Sequence, residues 1–303
     1  MGLVGLSLAL PKGERPTRTG HRGTASRRTV LLAGVVLIAL KLCVIDQQPW
    51  LWRASRLRED GSLRGVEVPM TVNFGDRAVL LGRDGMQDSL PSGATGELTL
   101  YWRAISPGTG DWHVGLSMTG PRDTMWPVSL RPTRWGRTPP PIQAWPPDTY
   151  ARMDKLVDLP AGMPPGVYTP TLSLFDRRTL APASVLGSDG NPVGPRLDLA
   201  PIRVTPPSAP PTLQALGVSP DDDLQACGTL GLWAMEPDRT VLAPGEPIHL
   251  RWVWEALAET AEARKVRLSL ENPAGSVAQT WEVPLSAAWW PTDRWRSGER
   301  WVG

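Results

Sequence analysis

An internal repeat at a spacing of 152 residues constrains the fold of this chain more than any other feature. The repeated positions are apolar and alternate with polar ones along the chain. Leu98, Leu100 and Trp102 recur as Leu250, Trp252 and Trp254, and Val114, Leu116 and Met118 recur as Val266, Leu268 and Leu270. Such alternation is typical of half-buried β-strands. The chain should therefore contain two copies of one all-β unit.

The repeat continues beyond these strands with two small changes in spacing. After a three-residue insertion, Trp126 aligns with Trp281. After a later compensating loss, Met153 aligns with Gly303. On this alignment the sequence holds no counterpart of residues 154–204. A β-sandwich without those strands would expose an apolar face and open strand edges. We expect either that the sequence is a fragment of a longer protein or that another subunit supplies the missing strands.

The strands, the repeat and the composition of the connecting segments together predict the domain organisation. The stretch from Pro206 to Thr212 is rich in Pro and favours an extended linker. We predict a basic cytoplasmic tail at 1–28, a transmembrane signal anchor at 29–45, a juxtamembrane segment at 46–69, a β-sandwich domain at 70–205, a Pro-rich linker at 206–227 and an incomplete second β-sandwich repeat at 228–303. The expected fold class is all-β, preceded by one N-terminal transmembrane helix.

The positive charge of the chain is concentrated in front of an apolar segment. Residues 1–28 carry six Lys and Arg and one Glu, a net charge of +5, whereas the whole chain has a net charge of only +2. The apolar run from Val30 to Ile45 follows, with 16 positions interrupted by Lys41. As a helix it would rise about 24 Å, somewhat less than the bilayer's hydrocarbon core of about 30 Å. Trp50 and Trp52 then fall where interfacial aromatic residues lie.

This arrangement predicts an uncleaved, single-pass anchor in the cell membrane. Because basic residues precede the span, the N-terminus should stay in the cytoplasm and residues 46–303 should lie outside. A cleavable signal peptide is the main alternative, since its apolar region has a similar length. Residues 44–49 lack the small side chains that a signal peptidase selects, which favours the anchor.

Composition and motifs argue against several classes of function. The near balance of 32 Lys and Arg against 30 Asp and Glu gives no support for nucleic-acid binding. Three His and two Cys leave few ligands for a metal, and no nucleophile elbow, P-loop, His-Glu-x-x-His or Cys-x-x-Cys motif occurs. Asp221–Asp223 could offer oxygen ligands to Ca²⁺, but a solvated linker is the favoured interpretation. We predict no enzyme activity, no metal site and no cofactor.

One stretch of the chain resembles a known kind of module. Its motifs are Phe74-Gly75-Asp76, Leu80-Leu81-Gly82, Leu98–Trp102, Trp145, Pro164-Pro165-Gly166-Val167-Tyr168 and Leu174-Phe175-Asp176. Residues 70–205 resemble the tandem immunoglobulin-like β-sandwich modules of uncharacterised bacterial membrane-anchored surface proteins. The Pro-Pro-Gly-x-Tyr motif resembles a tyrosine corner, in which a Tyr near the start of a late strand bonds back to the main chain. The resemblance implies a fold and brings no catalytic residues.

Tryptophan is unusually frequent, with 15 Trp against two Phe and three Tyr. Trp102, Trp112, Trp252 and Trp254 keep the register of the apolar strand faces and are predicted to be core residues. Other Trp are interleaved with Arg and Pro: Trp126, Arg131, Arg134, Trp135, Arg137 and Trp145 in the first copy, and Trp289, Trp290, Arg294, Trp295, Arg296 and Trp301 in the second. Exposed Trp rings beside Arg donors could bind a glycan. Alternatively, these Trp close the open end of the sandwich, with Arg stacked on them.

Two functional classes are consistent with these observations. The first is a membrane-anchored, extracytoplasmic, non-catalytic β-sandwich protein with a binding or structural role at the cell envelope and a glycan or a protein as partner. The six Trp and Arg residues of the first copy are its candidate ligand-binding residues. The alternative is the N-terminal accessory part of a larger exported polysaccharide-active enzyme whose catalytic domain lies beyond residue 303.

Overall fold

The computed structural model describes residues 34–38, 57–106, 110–133, 142, 145, 149–219, 222–241, 243, 245–272 and 274–303. Residues 34–38 form a short helix in which Val35 to Ile38 are exposed. The remainder of the predicted anchor, the basic tail and residues 46–56 lie outside the described residues. No helix in the described part of the chain is both long and apolar enough to cross a membrane.

From residue 57 onward, the regular structure of the described residues is almost entirely β-strand, as the alternating pattern predicts. The first β-domain contains β1 (Val68–Phe74), β2 (Ala78–Gly85), β3 (Ser89–Pro91), β4 (Thr95–Ala104), β5 (Trp112–Thr119), β6 (Met125–Pro127), β7 (Ser129–Pro132), β8 (Ala151–Asp158), β9 (Gly166–Asp176), β10 (Val185–Leu186), β11 (Pro192–Gly194), β12 (Leu197–Asp198) and β13 (Ile202–Thr205). The second β-domain contains β14 (Gln225–Cys227), β15 (Leu230–Pro237), β16 (Leu250–Ala256), β17 (Lys265–Glu271), β18 (Val277–Pro284) and β19 (Arg300–Val302). Single 3-10 turns lie at Pro121–Asp123, Gln214–Leu216 and Thr292–Arg294.

The first β-domain is sandwich-like, with two sheets that share one core. Sheet A has the strand order β11-β10-β1-β2-β4-β8-β7, and sheet B has the order β3-β13-β9-β5-β6, with β12 paired to β9. The strands β3 and β13 run parallel, with Leu90 opposite Val204. The long ladders β2–β4, β4–β8 and β5–β9 are antiparallel.

The core of the first β-domain contains apolar side chains from both sheets. Leu98, Leu100 and Trp102 of sheet A are at most 1% exposed, as their period-two spacing predicts. Leu172 of sheet B is fully buried in the same cluster. Trp102 contacts Phe74 edge to face, with the ring centroids 5.3 Å apart. Burial of these large side chains supplies much of the stability of the domain.

A second apolar cluster covers part of the outer face of sheet A. Leu57, Leu63 and Val66 pack there against Leu81 and Tyr101. The sequence predicts that the first three of these residues belong to a juxtamembrane segment at 46–69. Residues 57–66 instead pack on the first β-domain, because the outward residues of β2 and β4 are themselves apolar and need a cover.

The second β-domain consists of a four-stranded sheet and a separate hairpin. The sheet, sheet C, has the order β14-β15-β16-β19, and β17 and β18 form the hairpin. Trp252 and Trp254 are each 7% exposed and share a core with Leu285, Trp295 and Trp301. The prediction that these two Trp are core residues is confirmed.

Trp112 differs from the other three Trp predicted for the cores. It is half-buried and packs against the edge of the first core. The guanidinium carbon of Arg77 lies 5.7 Å from the centroid of its ring. Its indole therefore contacts both apolar side chains of the core and a cation.

The strand registers of the two β-domains correspond at the spacing of 152 residues. Leu80 of β2 lies opposite Trp102 of β4, and Leu232 of β15 lies opposite Trp254 of β16. The register also shifts at the same place, between Leu80 and Gly82 in the first ladder and between Leu232 and Ala234 in the second. Such a shift marks a β-bulge, which bends and twists the strand.

The residue pairing in the hairpins of the two β-domains differs from the pairing that the sequence alignment predicts. Met118 lies opposite Trp126 in the first β-domain, whereas Leu268 lies opposite Trp281 in the second. Trp281 therefore does not take the position of Trp126, and the three-residue insertion placed between them is wrong. Backbone pairing determines this register, and a search for matching Trp residues cannot detect it.

Residues 206–219 follow the first β-domain, and several of their apolar side chains pack against the second. Leu216 is 1% exposed and Val218 4% exposed, in a cluster with Val253 and Val302. The backbone N–H of Val302 donates a 3.0 Å hydrogen bond to the carbonyl oxygen of Gly162 in the first β-domain. The linker expected to be an extended spacer thus contributes side chains to an interdomain core.

Candidate binding cleft between the two β-domains

The described residues of the first Trp and Arg segment do not share one exposed surface. Trp145 is 4% exposed and belongs to the first core. Trp126 is half-buried and packs against that core and against the interdomain cluster. The prediction of exposed ring faces is therefore wrong for Trp145, which closes the core as the alternative interpretation expected. Arg134, Trp135 and Arg137 lie outside the described residues.

Arg131 remains on the surface and pairs with a carboxylate. Its Nη2 donates a 2.6 Å hydrogen bond to Oδ1 of Asp158, and its Nε donates to Oδ2. The hydroxyl of Thr95 donates a further hydrogen bond of 2.7 Å to the same carboxylate. The hydrogen bond from Arg131 holds the pKa of Asp158 below its ordinary value. Arg131 thus has an ion-pair partner within the first β-domain, although its side chain is 56% exposed.

The second Trp and Arg segment separates into core residues and cleft residues. Trp295 is 2% exposed and Trp301 is fully buried, so both belong to the second core. Trp289, Trp290 and Arg294 instead line an open cleft of about 460 Å³. The opposite wall comes from the first β-domain, at Pro165–Val167 and Arg203–Pro206. We call this the interdomain cleft.

Trp289 is held in the cleft by the turn that precedes β9. Its Nε1 donates a 3.2 Å hydrogen bond to the carbonyl oxygen of Pro165. Its ring contacts Tyr168 edge to face, with centroids 6.3 Å apart. A Cβ added at Gly166 would lie 3.0 Å from the Trp289 Nε1, so this close approach favours glycine. The local sequence Pro-Pro-Gly-x-Tyr therefore builds one wall of the cleft.

Trp290 is positioned by the second β-domain alone. Its ring contacts Trp301 edge to face, with centroids 5.7 Å apart. Its carbonyl oxygen accepts a 3.2 Å hydrogen bond from the Nε1 of Trp295. Two buried Trp thus support the one that lines the cleft, which reduces the conformational entropy lost when a ligand binds.

The charge of the cleft is positive. Arg203 and Arg294 line it from opposite β-domains, and no Asp or Glu is among its described lining residues. Neither Arg forms an ion pair within the described part of the chain; Arg294 donates a 3.4 Å hydrogen bond to the carbonyl oxygen of Trp289. Two guanidinium groups beside two indole rings can bind carboxylates while the rings pack against the apolar faces of sugars.

The remaining candidate groups do not come together in one site among the described residues. Asp222 accepts a 2.9 Å hydrogen bond from the backbone N–H of Ser219, whereas Asp221 lies outside the described residues. Cys227 is exposed and free. The described residues contain no group of three or more His, Cys, Asp and Glu arranged to hold a metal ion.

The Trp and Arg pattern of the second segment includes Trp289, Trp290 and Arg294 of the cleft but not Arg203. The sequence pattern could have identified Arg203, because it alternates with the apolar Ile202 and Val204 and so must face away from the core.

No family model matches this chain. Comparison with curated proteins finds no matching sequence either.

Proposed function

We propose that this protein is a non-catalytic, membrane-anchored binding protein of the cell envelope and that its interdomain cleft binds a carboxylated glycan. The single observation that carries the proposal is the composition of the cleft. Two half-buried Trp and two Arg without ion pairs line it, and no carboxylate competes for the Arg side chains among the described residues. Acidic sugars offer both an apolar ring face and a carboxylate to such a site.

The proposed module type is immunoglobulin-like. Three observations support it: β3 pairs in parallel with β13, the last strand of the domain; two sheets share one core; and the Tyr168 hydroxyl donates a 2.6 Å hydrogen bond to the Pro164 carbonyl oxygen. The last of these is the bond expected of a tyrosine corner. The matching registers at 152 residues further support a tandem repeat of this module.

Binding to the cleft is tested by titrating the full chain with polygalacturonate and with uncharged dextran. Polygalacturonate should quench Trp fluorescence, and its affinity should fall as ionic strength rises, because added salt screens an exposed charge pair. Arg203→Ala and Arg294→Ala should each weaken the affinity at least tenfold. Arg178→Ala is the matched control, since this exposed Arg lies outside the cleft. Equal binding of both polymers, or equal effects of all three variants, would reject the acidic ligand.

The membrane anchor is a separate part of the proposal, supported by the basic residues that precede the apolar run. Protease added outside intact spheroplasts should remove the chain beyond about residue 50 and spare the basic tail. Release of a shortened protein that begins near residue 46 would instead indicate a cleaved signal peptide. A chain that resists protease until the spheroplasts are lysed would contradict the extracytoplasmic location.

A further inference from the structure

The Trp and Arg side chains that the second β-domain brings to the interdomain cleft are not part of the repeated framework. Trp145 and Trp295 are buried counterparts at a spacing of 150 residues, and each donates a backbone N–H hydrogen bond to the residue three positions earlier, at 3.0 Å and 3.1 Å. The cleft residues have unlike counterparts at that spacing: Trp289 aligns with Pro139, Trp290 with Pro140 and Arg294 with Ala144. The framework of the repeat therefore does not require an indole or a guanidinium at these positions.

Trp289 lies between the attachment points of the two Arg side chains of the cleft. At its main chain, the carbonyl oxygen accepts a 3.4 Å hydrogen bond from Nη1 of Arg294. At the far end of its ring, Nε1 lies beside Gly166 of β9. Gly166 is opposite Val204 in the ladder between β9 and β13, and Arg203 precedes Val204. The indole of Trp289 thus extends from Arg294 of the second β-domain toward the strand that carries Arg203 in the first.

Each Arg is available for a carboxylate of its own. Arg203 is exposed on β13, and Arg294 is exposed at the end of the 3-10 turn Thr292–Arg294. Neither forms an ion pair in the described part of the chain, and the described lining of the cleft holds no Asp or Glu. A guanidinium binds a carboxylate through charge-assisted hydrogen bonds. A ligand with one carboxylate would therefore leave one Arg unused.

The size of the cleft suits a short segment of a glycan chain. Its volume of about 460 Å³ lies in the lower half of the range of about 300–1,000 Å³ that is typical of small-ligand sites. Trp289 and Trp290 offer ring surface to the apolar faces of sugars within this volume. Because the cleft is open, the ends of a longer chain can extend out of it.

We propose that the interdomain cleft binds two acidic sugars of one glycan chain, a proposal that rests on the proposed function of the cleft. Arg203 binds the carboxylate of one sugar, Arg294 binds that of the other, and a sugar ring packs on Trp289 between them. The ligand is thereby narrowed to polymers in which uronic acids recur at short intervals. A glycan with a single acidic sugar would engage only one Arg.

The test compares trigalacturonate with a trigalacturonate in which two of the three carboxylates are methyl esters. Both ligands have the same sugar rings, and isothermal titration calorimetry measures their affinities for the full chain. Trigalacturonate should bind at least tenfold more tightly. Arg203→Ala and Arg294→Ala should each weaken its binding at least tenfold, and the double variant about 100-fold or more, because separate contacts contribute additively to the free energy.

The ligand with one free carboxylate supplies the matched comparison. Each single variant should weaken its binding at most threefold, because the remaining Arg can still bind the one carboxylate. Arg178→Ala, at the exposed Arg outside the cleft, should change the affinity for neither ligand.

The outcomes separate this proposal from the proposed function. Equal affinities of the two ligands, or a double variant that loses no more than either single variant, would overturn the assignment of one carboxylate to each Arg. Trigalacturonate that fails to bind while polygalacturonate binds would also overturn it, and the proposed function would stand in all these cases. Absence of polygalacturonate binding would overturn both.

Discussion

The hydroxyl of Tyr168 donates a 2.6 Å hydrogen bond to the carbonyl oxygen of Pro164, four residues earlier in the chain. Both groups are buried, so the bond closes the turn that leads into β9. The ring of Tyr168 then supports Trp289 of the second β-domain. One side chain thus connects a local turn, the core of the first β-domain and the wall of the interdomain cleft.

Replacing Tyr168 by Phe should lower the free energy of unfolding by about 1–3 kcal/mol, because the buried carbonyl oxygen of Pro164 loses its donor.

The change should also alter how the free energy of unfolding depends on pH. Burial raises the pKa of Tyr168 above its ordinary value of about 10. The stability that this shift contributes is complete below pH 10 and is lost as the pH rises further, by up to about 1.4 kcal/mol per pH unit. Urea unfolding between pH 8 and 11 measures both effects. A variant as sensitive to alkaline pH as the parent would contradict this account.

Gly162→Ala should disturb the contact between the two β-domains. Gly162 has a φ of +73°, and a Cβ there would come within 2.8 Å of Leu216 and 2.9 Å of Val302. Gly190→Ala is the matched control, since its φ is +77° and nothing lies within 4 Å of its Cβ position. The control carries only the backbone strain of about 1–2 kcal/mol. Gly162→Ala should cost about 1–3 kcal/mol more because of overpacking. Equal melting temperatures would show that the interdomain contact does not contribute to stability.

Glu255→Ala should destabilise the second β-domain and release the linker. Glu255 accepts hydrogen bonds of 2.6 Å from Trp233 and 2.8 Å from Arg300, and Arg300 donates another of 3.0 Å to Pro211 of the linker. Removing the carboxylate leaves a largely buried cation unpaired, at a cost of about 2–4 kcal/mol. Limited proteolysis should then cut the linker faster.

The control for Glu255 is Glu282→Ala, which removes an ion pair with Arg267 whose two side chains are more than half exposed. Exposed pairs contribute at most about 1 kcal/mol. If both variants lose the same free energy of unfolding, the pair of Glu255 with Arg300 contributes no more than an exposed ion pair.

Trp145→Ala should lower stability and leave ligand binding by the cleft unchanged. The side chain is 4% exposed in the first core, and its truncation should cost about 3–5 kcal/mol. Trp281→Ala, at a side chain that is 41% exposed, should cost clearly less. Unfolding curves measure the loss, and fluorescence titration of the folded variant measures binding. A stable Trp145→Ala variant that no longer binds polygalacturonate would instead support the first predicted ligand-binding segment.

Much of the fold could be predicted because the alternation of apolar and polar residues along the chain indicates strands. Leu98, Leu100 and Trp102 are buried as their spacing requires. The motif that ends at Tyr168 likewise predicted a main-chain acceptor nearby in sequence, and Pro164 provides it. The position of residues 57–66 could not be predicted in this way. Their cover of sheet A depends on apolar residues of β2 and β4 that face away from the main core.

Local patterning is enough to identify a strand protein with cores rich in tryptophan, since the period of side chains along a strand is a property of neighbouring residues. Which Trp of the second segment are core residues and which line the cleft depends on contacts between distant strands. Trp295 and Trp301 enter the core, whereas Trp289 and Trp290 line the cleft with Arg203 of the other β-domain. The same indole ring suits a core and a binding surface equally well. Its environment is therefore set by whichever distant strand packs against it.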